Sequence, residues 1–142
     1  MKRVLVTGAG GQLGGEFATL LPGATTRLLA RDGLDVSDAG AVAAVVSSFA
    51  PELVIHTAAM TNVDACESDR EGARNVNVVG AENVARACRE VGAAMVYVST
   101  NYVFDGSQTA PYDEGDGTNP INVYGVTKLE GEEAVSRLLE RH

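Results

Sequence analysis

Residues 3–15, RVLVTGAGGQLGG, decide the fold of this chain. The apolar, β-branched run Arg3–Thr7 predicts a buried strand, and apolar side chains at helical spacing from Leu13 to Leu21 predict a helix directly after it. The junction holds glycines in the spacing G-x-x-G-x-x-G, namely Gly8, Gly11 and Gly14. Such glycines let the backbone turn sharply and approach a pyrophosphate, whose charge is stabilised by the N–H groups of the helix start. The segment therefore predicts a dinucleotide site, and a glycine-rich turn without a ligand is the alternative.

The rest of the chain repeats the alternation of strand and helix. Apolar runs at 26–30, 53–57 and 95–99 predict three further strands, and helical spacing at 42–49 and 68–91 predicts the helices between them. This order predicts an α/β fold with a Rossmann-like, doubly wound parallel sheet. Residues 105–120 form a long loop rich in Gly, Asp and Pro, which is either a functional lid or a surface excursion.

The residues after the second strand bear on the choice of cofactor. An acidic side chain there bonds a ribose hydroxyl, whereas an arginine accommodates a 2′-phosphate. Arg31 comes first and Asp32 second. We therefore expect NADP(H), with NAD(H) as the alternative cofactor and a solvated surface arginine as the structural alternative. Asp35-Val36 is expected to border the adenine, and the small pair Ala58-Ala59 suits either close approach to the ribose or plain turn packing.

A group of proton-handling side chains stands near the end of the chain. Tyr124 and Lys128 are four residues apart, a spacing that places both on one face of a helix. Thr100 follows the apolar run 95–99 and so brings a hydroxyl to the end of a strand. The three together predict a proton-donating set for carbonyl reduction, and ordinary packing at a helix–strand junction is the alternative.

The composition of the chain argues against several classes of function. The net charge of −8 argues against nucleic acid as a partner, because no broad basic field is present. No apolar run approaches ~18 residues, so we expect no membrane span and a cytoplasmic protein. Cys66 and Cys88 are too few for a zinc site, and we expect no metal. His56 and His142 have no base partner near them in sequence, which argues against a catalytic role for either.

Four blocks of the sequence resemble the dTDP-4-dehydrorhamnose reductase family, which belongs to the extended short-chain dehydrogenases/reductases. These blocks are residues 8–14, 56–67, 98–106 and 122–132, and the second and third are the more specific. The resemblance implies hydride transfer from NADPH to C4 of a dTDP-linked 4-keto-6-deoxy sugar, in nucleotide-sugar biosynthesis. It departs at Asn101, where the family usually has aspartate.

The resemblance also implies roles for individual residues. The catalytic set would be Thr100, Tyr124 and Lys128. The cofactor would lie against Gly8, Gly11, Gln12, Leu13, Gly14, Asp35, Val36, Ala58 and Ala59, with Tyr124 and Lys128 at its nicotinamide end. Val63 and Tyr102 would contact the nucleotide-sugar substrate.

Members of this family are much longer than 142 residues. We therefore expect residues 1–142 to form one NADP(H)-binding Rossmann domain, cut off before the last strands and the substrate region. The strand at 95–99 would then lie at a sheet edge with Val96 and Val98 poorly covered, which predicts a homo-oligomer or a partner that completes the sheet. Two other functions stay open: a non-catalytic dinucleotide-binding module, as in the regulatory subunit of methionine adenosyltransferase, and an epimerase of the same superfamily.

Overall fold

The computed structural model describes residues 2–21 and 24–142. Its centre is a parallel sheet of four strands in the order β2-β1-β3-β4. The strands are β1 (Arg3–Thr7), β2 (Thr25–Leu29), β3 (Leu53–His56) and β4 (Ala94–Tyr97). The predicted α/β, Rossmann-like sheet is confirmed, and each strand lies within two residues of its predicted bounds.

Helices connect the strands. They are α1 (Gln12–Leu20), α2 (Ala39–Phe49), α3 (Val63–Ser68), α4 (Arg70–Arg74), α5 (Gly80–Val91) and α6 (Val123–Leu138). A π-helical segment, Asn75–Val79, joins α4 to α5, and a 3₁₀ turn, Asn101–Val103, follows β4. No helix in these described ranges is both long enough and apolar enough to cross a bilayer.

The strand order reverses direction between β1 and β3. From β1 the chain moves outward to β2, then crosses back so that β3 pairs with the other side of β1. Thr7, the last residue of β1, has Leu29 as its partner on one side and His56 on the other. The loops that leave β1 and β3 therefore diverge, and the crevice between them is where open parallel sheets bind ligands.

Side chains alternate between the two faces of the sheet. Leu5, Val54 and Met95 point to one face, where α2, α5 and α6 cover them in the main core. Val6 and Ile55 point to the opposite face, where Phe17 of α1 packs against them. Helices on both faces make the sheet doubly wound, as predicted.

The outer edge of the sheet is β4. Val96 is 47% exposed, as expected for an uncovered edge strand, whereas Val98 is half-buried. The chain returns towards this edge after α6, where the Met95 N–H donates to the Arg141 carbonyl oxygen at 3.1 Å.

One predicted helix differs from the structure. Residues 68–91 were predicted as a single α-helix, but the structure has α4, the π-helical segment and α5 in succession. The π turn places Asn77 inward, 1% exposed, where its carboxamide finds hydrogen-bond partners. The spacing of apolar residues cannot predict this turn. The turn positions the polar side chain of Asn77, whose hydrogen-bond partners are 17 and 50 residues away in sequence.

Candidate functional site

A cavity of about 1010 Å³ lies at the carboxyl ends of the strands. It is walled by the residues that follow each strand, from Gly8 after β1 to Ser99 after β4. The predicted site residues that line it are Gly8, Gly11, Gln12, Leu13, Gly14, Arg31, Asp35, Val36, Ala58, Ala59, Tyr124 and Lys128. The fold therefore brings both predicted halves of the site, the glycine turn and the Tyr–Lys pair, to one cavity.

The glycine turn depends on close backbone contacts. Gly8 has φ +74°, a left-handed conformation that favours glycine, and a Cβ there would lie 2.5 Å from the Ala58 backbone nitrogen. A Cβ at Gly14 would lie 2.7 Å from Thr57 Oγ1 and overlap the Gly8 carbonyl oxygen. Gly11 is the N-cap of α1, and no side chain caps that helix. The N–H groups at the start of α1 thus face the cavity without a side-chain acceptor, which is the chemistry that suits an anionic phosphate.

The opposite end of the cavity carries both signs of charge. Arg31 is exposed at the rim, next to Asp32. Asp35 accepts hydrogen bonds from Ser37 Oγ at 2.7 Å and Ser37 N at 3.0 Å, and these bonds, helped by the charge of Arg31, hold the pKa of that carboxyl below its usual value. Asp35 is thus an ionised acceptor, whereas the Arg31 guanidinium is available to an anionic ligand.

Lys128 is a buried ammonium at the other end of the cavity. Its side chain is 3% exposed, and Nζ donates to the Val98 carbonyl oxygen at 2.7 Å. The same Nζ lies 3.9 Å from the ring centroid of Tyr97. Burial lowers the pKa of Lys128 to about 8, against an opposing effect of Glu132. Lys128 therefore carries most of its positive charge at neutral pH and lies close to its own titration range.

Tyr124 lies one helical turn before Lys128 and faces the same cavity. Two acceptors fix the start of α6: Asn122 Oδ1 accepts from Gly125 N, and Glu67 Oε1 accepts from Val123 N, each at 2.8 Å. The negative charge of Glu67 also suits the positive end of the helix dipole. The position of the Tyr124 hydroxyl thus rests on a helix start that is held from both α3 and the preceding loop.

Three predicted residues lie outside the set that lines the cavity. Thr100 is next to the lining residue Ser99, and its Oγ1 accepts from Tyr102 N at 3.2 Å, which leaves the hydroxyl proton free to donate. Tyr102 is 43% exposed and packs its ring edge-to-face on Tyr124, with centroids 5.6 Å apart. Val63 packs in a small apolar cluster with Tyr124. Tyr102 and Val63 therefore lie near Tyr124, and Thr100 is joined to Tyr102 by its hydrogen bond.

The structure adds residues that the sequence analysis did not assign to the site. The further lining residues are Gly10, Ala30, Asp32, Leu34, Thr57, Met60, Thr61, Asp69, Gly72, Val76, Val98 and Ser99. Ser99 Oγ is buried and has no hydrogen-bond partner among the described residues. The position of Ser99 at a strand end, beside Thr100, is the sequence signal that could have assigned it to the site.

A family comparison decides the membership of this chain. The family model of the RmlD substrate binding domain matches residues 1–142. The chain belongs to this family.

Relatives and solved structures agree with that membership. The chain is 46% identical over 139 residues to dTDP-4-dehydrorhamnose reductase of Streptomyces griseus, across 96% of this chain and 46% of the relative. It is 44% identical over 143 residues to methionine adenosyltransferase 2 subunit beta of Xenopus tropicalis, across 94% of this chain and 42% of the relative. The crystal structure of dTDP-4-dehydrorhamnose reductase from Bacillus anthracis in complex with NADP has a TM-score of 0.96 at 40% identity, over 99% of this chain and 51% of that one. The chain therefore spans about half the length of the relatives that it matches.

Proposed function

We propose that this chain binds NADP(H) and performs the hydride- and proton-transfer part of the reduction of dTDP-4-dehydrorhamnose to dTDP-L-rhamnose. One observation carries the proposal: Tyr124 and Lys128 line the same cavity as the glycine turn at the start of α1. Membership of a family whose relatives include dTDP-4-dehydrorhamnose reductases supports it. The role belongs to nucleotide-sugar biosynthesis, and the enzyme class is an oxidoreductase.

Different parts of the cavity suit different parts of one bound dinucleotide. Gly8, Gly11 and Gly14 allow the backbone to approach a pyrophosphate, and the uncapped start of α1 offers N–H donors to its charge. Arg31 at the rim would hold a 2′-phosphate, and Val36 and Asp35 would border the adenosine. Gln12, Leu13, Ala58 and Ala59 would complete the walls. A solved relative is in complex with NADP, which supports NADP(H), and NAD(H) is the alternative.

Proton transfer falls to α6. When bound, the reduced nicotinamide would supply the hydride. Tyr124 would donate its phenolic proton to the alkoxide oxygen that develops on the sugar, and the Lys128 ammonium, on the same helix face, would favour the phenolate that remains. Lys128 can also hold a ribose hydroxyl, since Val98 takes only one of its three protons.

Residues around Tyr124 would bind the sugar nucleotide. The Thr100 hydroxyl keeps its proton because it accepts from Tyr102 N, so it can donate to the substrate carbonyl and stabilise charge as that charge develops. Tyr102 packs on the Tyr124 ring, Val63 packs in the same apolar cluster as Tyr124, and both would contact the sugar nucleotide. The edge of β4, where Val96 is exposed and the Met95 N–H is bonded to Arg141, would pair beyond that bond with a second copy or another chain that completes the sheet.

Binding and turnover are measured separately to test this function. We expect NADPH to bind the 142-residue chain, as followed by cofactor fluorescence, and to be oxidised when dTDP-4-dehydrorhamnose is added. Tyr124→Phe should retain NADPH binding and lose oxidation, because the ring stays and the proton donor goes. Tyr112→Phe, in the 105–120 loop, is the matched control and should keep both. Undiminished oxidation by Tyr124→Phe would remove Tyr124 from the mechanism.

A non-catalytic binding module is the second candidate. The specific observation in its favour is the similarity to methionine adenosyltransferase 2 subunit beta, over the same part of the chain. On this reading the chain would bind NADPH with similar affinity and oxidise none of it in the presence of the sugar nucleotide. An epimerase, by contrast, would be purified with NAD already bound.

A further inference from the structure

We propose that Tyr97, in β4, is a positioning residue for Lys128. Its ring face holds the Lys128 ammonium at the cavity wall by a cation–π contact, and its hydroxyl holds α6 by a hydrogen bond to the Lys128 carbonyl oxygen. The inference rests on the proposed function, because it assigns the support of a side chain that the function requires. Tyr97 itself lies behind the cavity wall and outside the lining set.

The two contacts between Tyr97 and Lys128 act on different parts of the lysine. Lys128 Nζ lies 3.9 Å from the centroid of the Tyr97 ring, within the range of a cation–π interaction, and donates to Val98 on the same strand end. The Tyr97 hydroxyl donates to the Lys128 backbone carbonyl oxygen at 3.2 Å. One side chain thus sets both the ammonium and the helix backbone that carries it.

Gly131 makes room for this arrangement. A Cβ at Gly131 would overlap the Tyr97 hydroxyl oxygen and lie 2.6 Å from the Asn77 carbonyl oxygen. Gly131 is buried in the interior of α6, where glycine is a poor helix former. The Tyr97 hydroxyl occupies the space between β4 and α6 that a side chain at position 131 would need, which explains why this position is a glycine.

A neutral aromatic layer supports the Tyr97 ring from the next strand. His56 of β3 stacks on it with centroids 5.9 Å apart and ring planes at 17°, and His56 Nδ1 is 2.7 Å from Thr7 Oγ1. Burial, with a smaller effect of Lys128, lowers the pKa of His56 to about 3. His56 is therefore neutral at physiological pH and supports the ring without repelling the ammonium above it.

The charged and titratable groups around Lys128 come from three elements. They are His56 on β3, Tyr97 on β4, and Tyr124 and Glu132 on α6. Burial raises the pKa of Tyr97, so its hydroxyl stays a donor. Glu132 favours the charged lysine. The Tyr97 ring and Glu132 therefore oppose the desolvation of the buried ammonium.

The sequence offers a direct probe, because Lys2 and Lys128 are its two lysines. Chain labelled with ¹³C-lysine gives two ε-methylene signals, and exposed Lys2 serves as an internal reference. In the unsubstituted chain the Lys128 signal should lie upfield of Lys2, because it sits over an aromatic face. If the ε-methylene signals of Lys2 and Lys128 coincided, the position of Lys128 over the Tyr97 ring would be refuted without any substitution.

Substitutions then separate the ring from the hydroxyl. Tyr97→Phe keeps the ring, so the Lys128 pKa measured by NMR should stay where it is in the unsubstituted chain, whereas loss of the hydrogen bond to α6 should lower the urea-denaturation midpoint. Tyr97→Leu removes the cation–π contact, and the Lys128 pKa should fall by about one pH unit. NADPH binding should weaken about tenfold in Tyr97→Leu and remain within about twofold in Tyr97→Phe. Gly131→Ala, which displaces an intact Tyr97, should resemble Tyr97→Leu.

These outcomes distinguish the inference from the proposed function. An unchanged or raised Lys128 pKa in folded Tyr97→Leu would overturn the positioning role. A chain that binds no NADPH, but whose Lys128 signal lies upfield and titrates as described, would refute the proposed function and leave the role of Tyr97 intact.

Discussion

The Asn77 carboxamide and the Met60 backbone are joined by two hydrogen bonds. Met60 N donates to Asn77 Oδ1 at 2.8 Å, and Asn77 Nδ2 donates to the Met60 carbonyl oxygen at 3.1 Å. Asn77 Nδ2 also donates to Thr127 Oγ1 at 3.0 Å, on the helix of Tyr124 and Lys128. One buried side chain of the π-helical segment therefore links the loop after β3, which lines the cavity, to α6.

Removal of the Asn77 carboxamide should destabilise the fold. Asn77→Ala leaves the half-buried Met60 N–H without a partner and the Met60 carbonyl oxygen with the weak Cys66 thiol donor, so the free energy of unfolding should fall by about 2 kcal/mol. Urea denaturation measures it. Asn75→Ala, at an exposed position of the same segment, is the control and should change stability by less than about 0.5 kcal/mol. Equal midpoints for the two variants would refute the structural role of Asn77.

Adjacent glycines of α1 should respond oppositely to alanine. A Cβ at Gly14 would overlap the Gly8 carbonyl oxygen, so Gly14→Ala should lower the free energy of unfolding by about 3 kcal/mol and weaken NADPH binding. At Gly15 a Cβ would lie 3.5 Å from the Ala9 carbonyl oxygen, an ordinary contact. Gly15→Ala should therefore stabilise the helix by about 0.5–1 kcal/mol. Thermal melts of both variants test the pair, and similar stabilities would contradict the close contact at Gly14.

Arg31 should set the preference between the two nicotinamide cofactors. If its guanidinium binds a 2′-phosphate, Arg31→Ala should raise the Kd of NADPH about tenfold and leave that of NADH nearly unchanged. Fluorescence titration with each cofactor measures both constants. Arg27→Ala, on β2 and outside the cavity lining, is the matched control. A parallel loss of both affinities would mean that Arg31 supports the cavity and does not read the phosphate.

His56 should make the protein less stable in mild acid. Its pKa is about 3 in the folded chain against an ordinary value of 6.5, so the unfolded chain binds the proton more tightly between these values. Stability is therefore full above pH 6.5 and falls by about 1.4 kcal/mol per pH unit below it. Between pH 7 and pH 5 the contribution of His56 should reach about 2 kcal/mol.

Urea denaturation at pH 7 and pH 5 measures this loss. His56→Phe should remove most of it, whereas His142→Gln, at an exposed terminal position, should retain it. The carboxyl of Asp35 acts in the same direction, but near and below its ordinary pKa of 3.8, outside this interval. A loss between pH 7 and pH 5 that persists in His56→Phe would assign it to other groups.

Much of the fold could be predicted because its signals are local. The apolar run Arg3–Thr7 and the glycines after it were sufficient for β1, the turn and α1. Asp38 caps α2 by accepting from Ala41 N, and Gly92 ends α5 with φ +72°, as their residue types indicate. Each of these features depends on neighbours within a few residues, so the sequence specifies it directly.

The grouping of residues around one cavity could be predicted where sequence motifs fall at strand ends. Most assigned cofactor residues follow strands, and the ends of parallel strands meet in one crevice. Thr100, Val63 and Tyr102 lie outside the lining set, and the roles of all the assigned residues stay predictions. The cation–π contact between Lys128 and Tyr97 was not predicted. A tyrosine in an apolar run is equally typical of a core residue.

By itself, the sequence determined the alternation of strands with helical connections, the glycine turn and the pairing of Tyr124 with Lys128, since spacing along the chain sets these. Tertiary structure alone decided which groups surround that pair. His56, Tyr97 and Lys128 come from three elements, and their stacking exists only once β3, β4 and α6 are packed. Burial in that packing, and not residue type, moves the pKa values of His56 and Lys128 from their ordinary ranges.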